Sequence, residues 1–181
     1  MGEVFDFEEE KLIIGVIYND KEVYEKAVAR LVSEFGEIDG ESEHFSFSRE
    51  FSDYYDEELE GEGQRVILSF RDTVAPDRQA EIKLLTNAIE SELSVGHSGR
   101  LINLDPGFIN HGRLMLATTK KAGFRIPLRD GIYTELTLFY ARGAWHKLPW
   151  TYRDYQSERV QRFITEVRRV YLKDRKEKMK K

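Results

Sequence analysis

Residues 12–18 (LIIGVIY) form an apolar run broken only by Gly15, the pattern of a strand covered on both faces. Asn19 and Asp20 offer caps to a following helix, and Glu22 stands three residues after Asn19, as in a capping box. Tyr24, Ala27, Val28, Leu31 and Phe35 then recur at helical spacing, and Gly36 is a natural stop. Phe45 and Phe47 alternate with polar neighbours over 44–48, which predicts a short strand. Residues 49–64 are polar, aromatic and punctuated by glycine, a surface loop, and 65–70 form another strand. Pro76 suits the first turn of a second helix whose buried stripe is Ile82, Leu85, Ile89 and Leu93. A strand over 100–104, a turn at Asp105-Pro106-Gly107 and a third helix over 110–121, ended by Gly123, follow.

Residues 124–140 read as a hairpin. A three-residue loop, Arg129-Asp130-Gly131 with Gly131 left-handed, pairs Leu128 with Ile132, Pro127 with Tyr133 and Arg125 with Glu135. Strict alternation then sends Phe124, Ile126, Leu128, Leu136 and Leu138 to the core, whereas a two-residue turn would mix the faces. A last helix carries Val160, Phe163, Ile164, Val167 and Tyr171 on one side. The order predicts one α+β domain over 1–181, with 1–10 and 173–181 as flexible ends. Its ferredoxin-like βαββαβ core is extended by a helix, a β-hairpin and a C-terminal helix.

Composition narrows the classes. Hydrophobic residues are 40% of the 181, enough for a core, and there is no cysteine, which excludes disulfides and thiolate metal sites. No apolar run approaches a membrane span, and the acidic start MGEVFDFEEEK is unlike a signal peptide, so a cytoplasmic protein is expected. The net charge of -5 conceals a gradient. Residues 1–60 hold 5 Lys+Arg against 19 Asp+Glu, while residues 121–181 hold 16 against 7. Two halves attracting each other is the simpler reading; an acidic and a basic binding face is the other.

Four stretches hold candidate chemistry. Asn103, Asp105 and Gly107 leave a strand, where a carboxylate can act as a base, although DPG is also a common turn. Asp53 and Tyr54 lie in FSDYYDEEL, either a lid or a solvated acidic loop. Arg125, Tyr133 and Glu135 share the polar hairpin face, as a site or as a structural ion pair. Trp150, Tyr152 and Asp154 precede the last helix, where aromatics either stack on a planar ligand or anchor that helix. The four histidines are scattered, so no metal site is expected, and no nucleotide-binding or hydrolase motif occurs.

Taken together, FSDYYDEEL, AEIKLLTNAIE, NLDPGFI, RIPLRDGIYTELTLFY and LPWTYRDY resemble the bacterial family of domain of unknown function 4416. The resemblance runs from about Lys11 to Tyr171. Phe124 and Arg153 depart from it, standing where that family often has His and Pro. It brings no activity with it and leaves any cofactor unknown. The residues themselves point to a small polar, phosphate-bearing ligand, with Asp105 and Glu135 as candidate catalytic groups. Asp53, Tyr54, Asn103, Gly107, Arg125, Tyr133, Trp150, Tyr152 and Asp154 are the candidate ligand contacts. The alternatives are a nucleic-acid-binding module using the basic, aromatic C-terminal third, and a protein-interaction module.

Overall fold

Nine consecutive buried residues make β1 (Glu10–Tyr18) an interior strand of an antiparallel sheet, as its apolar run over residues 12–18 requires. The computed structural model describes residues 2–178 and 180. After β1 come α1 (Lys21–Phe35), β2 (Ile38–Glu41), β3 (Phe45–Ser46), α2 (Phe47–Glu50), β4 (Gln64–Val74) and α3 (Gln79–Leu93). The chain continues through β5 (Ile102–Ile109), β6 (Arg113–Thr118), β7 (Ile126–Pro127), β8 (Tyr133–Ala141), β9 (Ala144–Lys147) and α4 (Glu158–Lys178). The strand order is β2-β4-β1-β5-β6-β8-β7, with β3 paired to β4 and β9 to β8. The fold is α+β. No helix of the described residues is long and apolar enough to cross a membrane.

Period-two alternation along β1 distributes the core between the two faces. Leu12, Ile14, Val16 and Tyr18 pack under α1 and α3, while Ile13 joins Ile67, Ile109 and Leu114 under α4. Asp20, not Asn19, caps α1: its Oδ1 accepts from the N–H groups of Glu22 and Val23 at 2.7 and 3.0 Å. Gly36 ends that helix at φ 85°, as its position in the sequence predicts. The charge gradient is used internally, since Arg159 pairs with Glu50 at 3.2 Å, Lys178 with Glu9 at 2.8 Å and Arg175 with Glu8. Of the ends expected to be flexible, residues 1, 179 and 181 lie outside the described residues, and α4 remains helical to Lys178.

Three of the expected elements need correction. The strand expected over 44–48 is two residues long, because Ser46 caps α2 through its Oγ and the chain turns helical at Phe47. Residues 110–121 are not a helix. Asn110 Oδ1 accepts from Gly112 and Arg113 N–H at 2.9 and 3.0 Å, making a tight turn, and β6 returns alongside β5. The helix-forming residues Leu114, Met115, Leu116 and Ala117 are held extended by ladders to β5 and β8. Asp105-Pro106-Gly107 is not a turn either; it lies inside β5, paired with Gly15, Ile14 and Ile13.

The hairpin has the expected register: Ile126 faces Thr134, Pro127 faces Tyr133, and Leu128 N–H donates to Ile132 C=O at 2.9 Å. Gly131 is left-handed at φ 76°. Its core assignment fails, because Phe124, Ile126 and Leu128 are 38, 57 and 41% exposed. α3 covers this face only as far as the cluster of Ala80, Ala117 and Ile132. A bulge also breaks the alternation of β8. Leu114 pairs with Leu138 but Met115 pairs with Leu136, so Thr137 is the extra residue. Glu135 and Leu138 consequently share the α4 face of the sheet, while Leu136 is only half buried.

Candidate functional site

Pro106 opens the site. Leu104 turns both its backbone groups away from β1 toward α3, donating to Glu90 Oε1 and accepting from Lys83 Nζ at 2.7 Å. By alternation Pro106 also presents its backbone away from β1, toward β6, and proline has no N–H to give. The β5–β6 ladder accordingly runs only from Gly107–Leu116 to Ile109–Leu114. Beyond it the strands separate around a cleft of about 730 Å³. Lys83, Asn87 and Glu90 of α3 enter the gap from one face. On the other, α4-side face lie Arg65, Asn103, Asp105 and Glu135, joined by Tyr152 and Asp154 from the segment before α4. Tyr54 and Tyr55 close one side.

A chain of charged groups lines the depth. Arg65, 2% exposed, donates from Nη2 to the Tyr155 hydroxyl at 3.1 Å and forms an ion pair with Asp154 Oδ2 at 3.1 Å, with Asp105 4.0 Å from its other terminal nitrogen. It lies flat across β1 at Gly15, where a Cβ would come within 2.6 Å of the guanidinium. Asn103 Nδ2 donates to Asp105 Oδ2 at 2.6 Å, and Lys83 Nζ stands 3.4 Å from Oδ1. Arg125 clamps the far wall, donating to Glu135 Oε2 at 2.7 Å, to the Lys120 carbonyl at 2.7 Å and to the Tyr152 hydroxyl at 2.9 Å.

The carboxyls are driven apart. Burial pushes Asp105 up, but Lys83, Arg65 and Asn103 outweigh it and hold Asp105 below the ordinary range. Glu135 is raised by burial against the opposing pull of Arg125 and, more weakly, of the Thr137 hydroxyl. Glu90 and Asp154 are raised by the same cause. Asp105, its side chain 29% exposed, therefore binds a proton less readily than Glu135 does. Glu135 is 1% exposed, and its Oε1 has no hydrogen-bond partner among the described residues.

Of the residues proposed from sequence, Tyr54, Asn103, Asp105, Glu135, Tyr152 and Asp154 converge on the cleft, and Arg125 supports it from behind. Four do not line it. Asp53 is exposed on the loop, and Tyr133 pairs with Pro127 and Thr118. Trp150 stacks on Phe124 at 4.6 Å and donates to Leu136 C=O at 2.9 Å. Gly107 is where β5 and β6 press together: a Cβ there would meet Leu116 Cδ2 at 2.5 Å and Met115 C=O at 2.6 Å. The residues missed are Arg65, Lys83, Glu90, Arg100 and Lys120. Two signals stood in the sequence: Arg65 shares the face of Ile67, and Lys83, Asn87 and Glu90 form an i, i+4, i+7 polar stripe. Among the described residues no group of three His, Asp or Glu side chains is arranged to hold a metal ion. Trp145, one of the aromatics of the C-terminal third that the nucleic-acid alternative would use, is 7% exposed in the α4 core.

No curated protein and no solved structure matches the chain. The family model described as Domain of unknown function (DUF4416) matches residues 8–171, nearly the whole length over which these strands, helices and cleft residues are laid out, and the chain belongs to that family.

Proposed function

We propose that the cleft binds a small polar, phosphate-bearing ligand, and that Asp105 and Glu135 serve it as a proton-transfer pair. The observation that carries this reading is the Asp105 carboxylate, part-exposed and held by Lys83 and Arg65, opening into a cleft of about 730 Å³ that Glu135 also lines. Asp105, whose proton affinity is lowered by Lys83 and Arg65, and Glu135, whose affinity is raised by burial, are the two groups placed to exchange a proton with a ligand. Lys120 and the exposed Arg153 at the rim supply positive charge for a phosphate. The order β2-β4-β1-β5, with α1 and α3 on one face, supports reading this part of the sheet as a ferredoxin-like core that β6 to β9 extend.

Thermal unfolding of the full chain against a panel of phosphate-bearing metabolites tests the reading. A ligand at a hundred times its Kd adds about 2.7 kcal/mol, which for a chain of this size raises Tm by roughly 5–10 °C. Glu135→Gln and Asp105→Asn should reduce that shift. A panel without any stabilising compound at millimolar concentration overturns the proposal.

A further inference from the structure

The cleft is divided by chemistry. One wall is a run of rings: Phe47 lies 5.9 Å from Tyr55 and 6.1 Å from Phe51, and Tyr54 meets Tyr55 edge-on at 5.0 Å. The depth opposite is rich in acceptors. Asp105 opens to the cleft, and Glu135 lines it as well. The deep cations are already engaged, Arg65 by Asp154, Lys83 by Leu104 C=O, and Arg100 by Glu58 at 2.8 Å. An anion placed there would face two carboxyl groups, so the depth calls for a ligand group that donates hydrogen bonds. Lys120 has the opposite character. It has no carboxylate within ion-pair distance among the described residues, and its Nζ rests 4.7 Å from the Tyr54 ring centre and 3.4 Å from the Tyr54 hydroxyl. Arg125 bridges the Glu135 carboxylate and the Lys120 main chain, so donor-seeking depth and anion-seeking rim are one guanidinium apart.

We propose that the ligand is a nucleotide with an amino-bearing base, seated against the Tyr54–Tyr55 wall with its N–H edge toward Glu135 and Asp105 and its phosphate at Lys120. This rests on the cleft being the ligand site, as proposed above. A flat ring fits the aromatic wall, since base–aromatic stacking tolerates any base. Carboxylates select among bases by their donors. Guanine presents adjacent ring and amino N–H groups to a carboxylate, whereas uracil flanks its single N–H with two carbonyls that a carboxylate repels.

Isothermal titration of the full chain with GMP, UMP, guanosine, ribose 5-phosphate and inorganic phosphate tests this. GMP should bind, with UMP and ribose 5-phosphate weaker by roughly tenfold or more. Lys120→Gln removes a charge-assisted contact and should weaken GMP by roughly tenfold or more while leaving guanosine unchanged. Because the Lys120 side chain makes no ion pair, that variant should keep the parental Tm. Equal binding of UMP and GMP overturns the assignment of the base edge. Ribose 5-phosphate binding as tightly as GMP overturns the nucleotide and leaves the phosphate-ligand reading standing. If neither these probes nor the wider panel bind, both fall.

Discussion

Replacing Asp154 with alanine removes the carboxylate that faces a buried guanidinium. Arg65 and Asp154 have side chains only 2 and 4% exposed and meet at 3.1 Å. Breaking such a pair by deleting one member costs about 3–5 kcal/mol, because the survivor is left charged and out of water. Arg65 keeps the Tyr155 hydroxyl at 3.1 Å and Asp105 at 4.0 Å, so the lower end of the range, about 3 kcal/mol, is expected. Its Nε already lacks a hydrogen-bond partner among the described residues, leaving little reserve. For a chain of this length the loss corresponds to a fall in Tm of roughly 6–12 °C, and to a lower urea midpoint at unchanged slope. Glu166→Ala is the control. It breaks a 2.7 Å pair with Arg169 whose side chains are 58 and 76% exposed, and should move stability by less than about 1 kcal/mol. Replacing both partners, Arg65→Met with Asp154→Leu, should recover much of the loss, since an apolar pair leaves no stranded charge. The reasoning fails if Asp154→Ala stays within about 1 kcal/mol of the parent, or if the double replacement is no better than the single one.

Gly131→Val should destabilise by about 1–3 kcal/mol in chemical denaturation, because a β-branched residue resists φ 76°; nothing within 4 Å would meet the new Cβ, so an unchanged midpoint would refute the strain argument. Gly107→Ala acts by contact instead, driving a methyl into Leu116 and the Met115 carbonyl for about 1–3 kcal/mol, and parental stability would show that β5 and β6 are less tightly joined than described. Glu135→Gln should change the pH dependence of stability. The raised affinity of Glu135 means the native chain keeps a proton that the unfolded chain has released, so this group's contribution falls as pH rises from the ordinary carboxyl value near 4.5 through the raised native one. The glutamine variant lacks that loss, and its stability relative to the parent should grow with pH across that window; a flat or shrinking difference in urea midpoints refutes the assignment.

The local patterns that determined structure by themselves were those whose partners lie close in sequence. The apolar run of β1, the stripe and glycine stop of α1, the stripes of α3 and α4, and the register around Arg129-Asp130-Gly131 all depend on neighbours within a turn or a hairpin. The same register put Arg125 opposite Glu135, and so half of the candidate site was legible in the chain. What lies over a face was not. Phe124, Ile126 and Leu128 alternate as core residues do, yet α3 ends its cover at Ala80, and the bulge at Thr137 turns Glu135 onto the face of Leu138. Residues 113–118 favour a helix in isolation and become a strand only because β5 and β8 flank them. Asp105-Pro106-Gly107 carries turn residues, but β1 holds it extended through contacts about 90 residues away. There the missing N–H of Pro106 ends the ladder to β6 and parts the strands. Arg65 and Lys83 meet Asp105, and Glu90 meets the Leu104 N–H, only in that opening, because long-range strand pairing, unlike a cap or a turn, is decided by which distant chain arrives alongside.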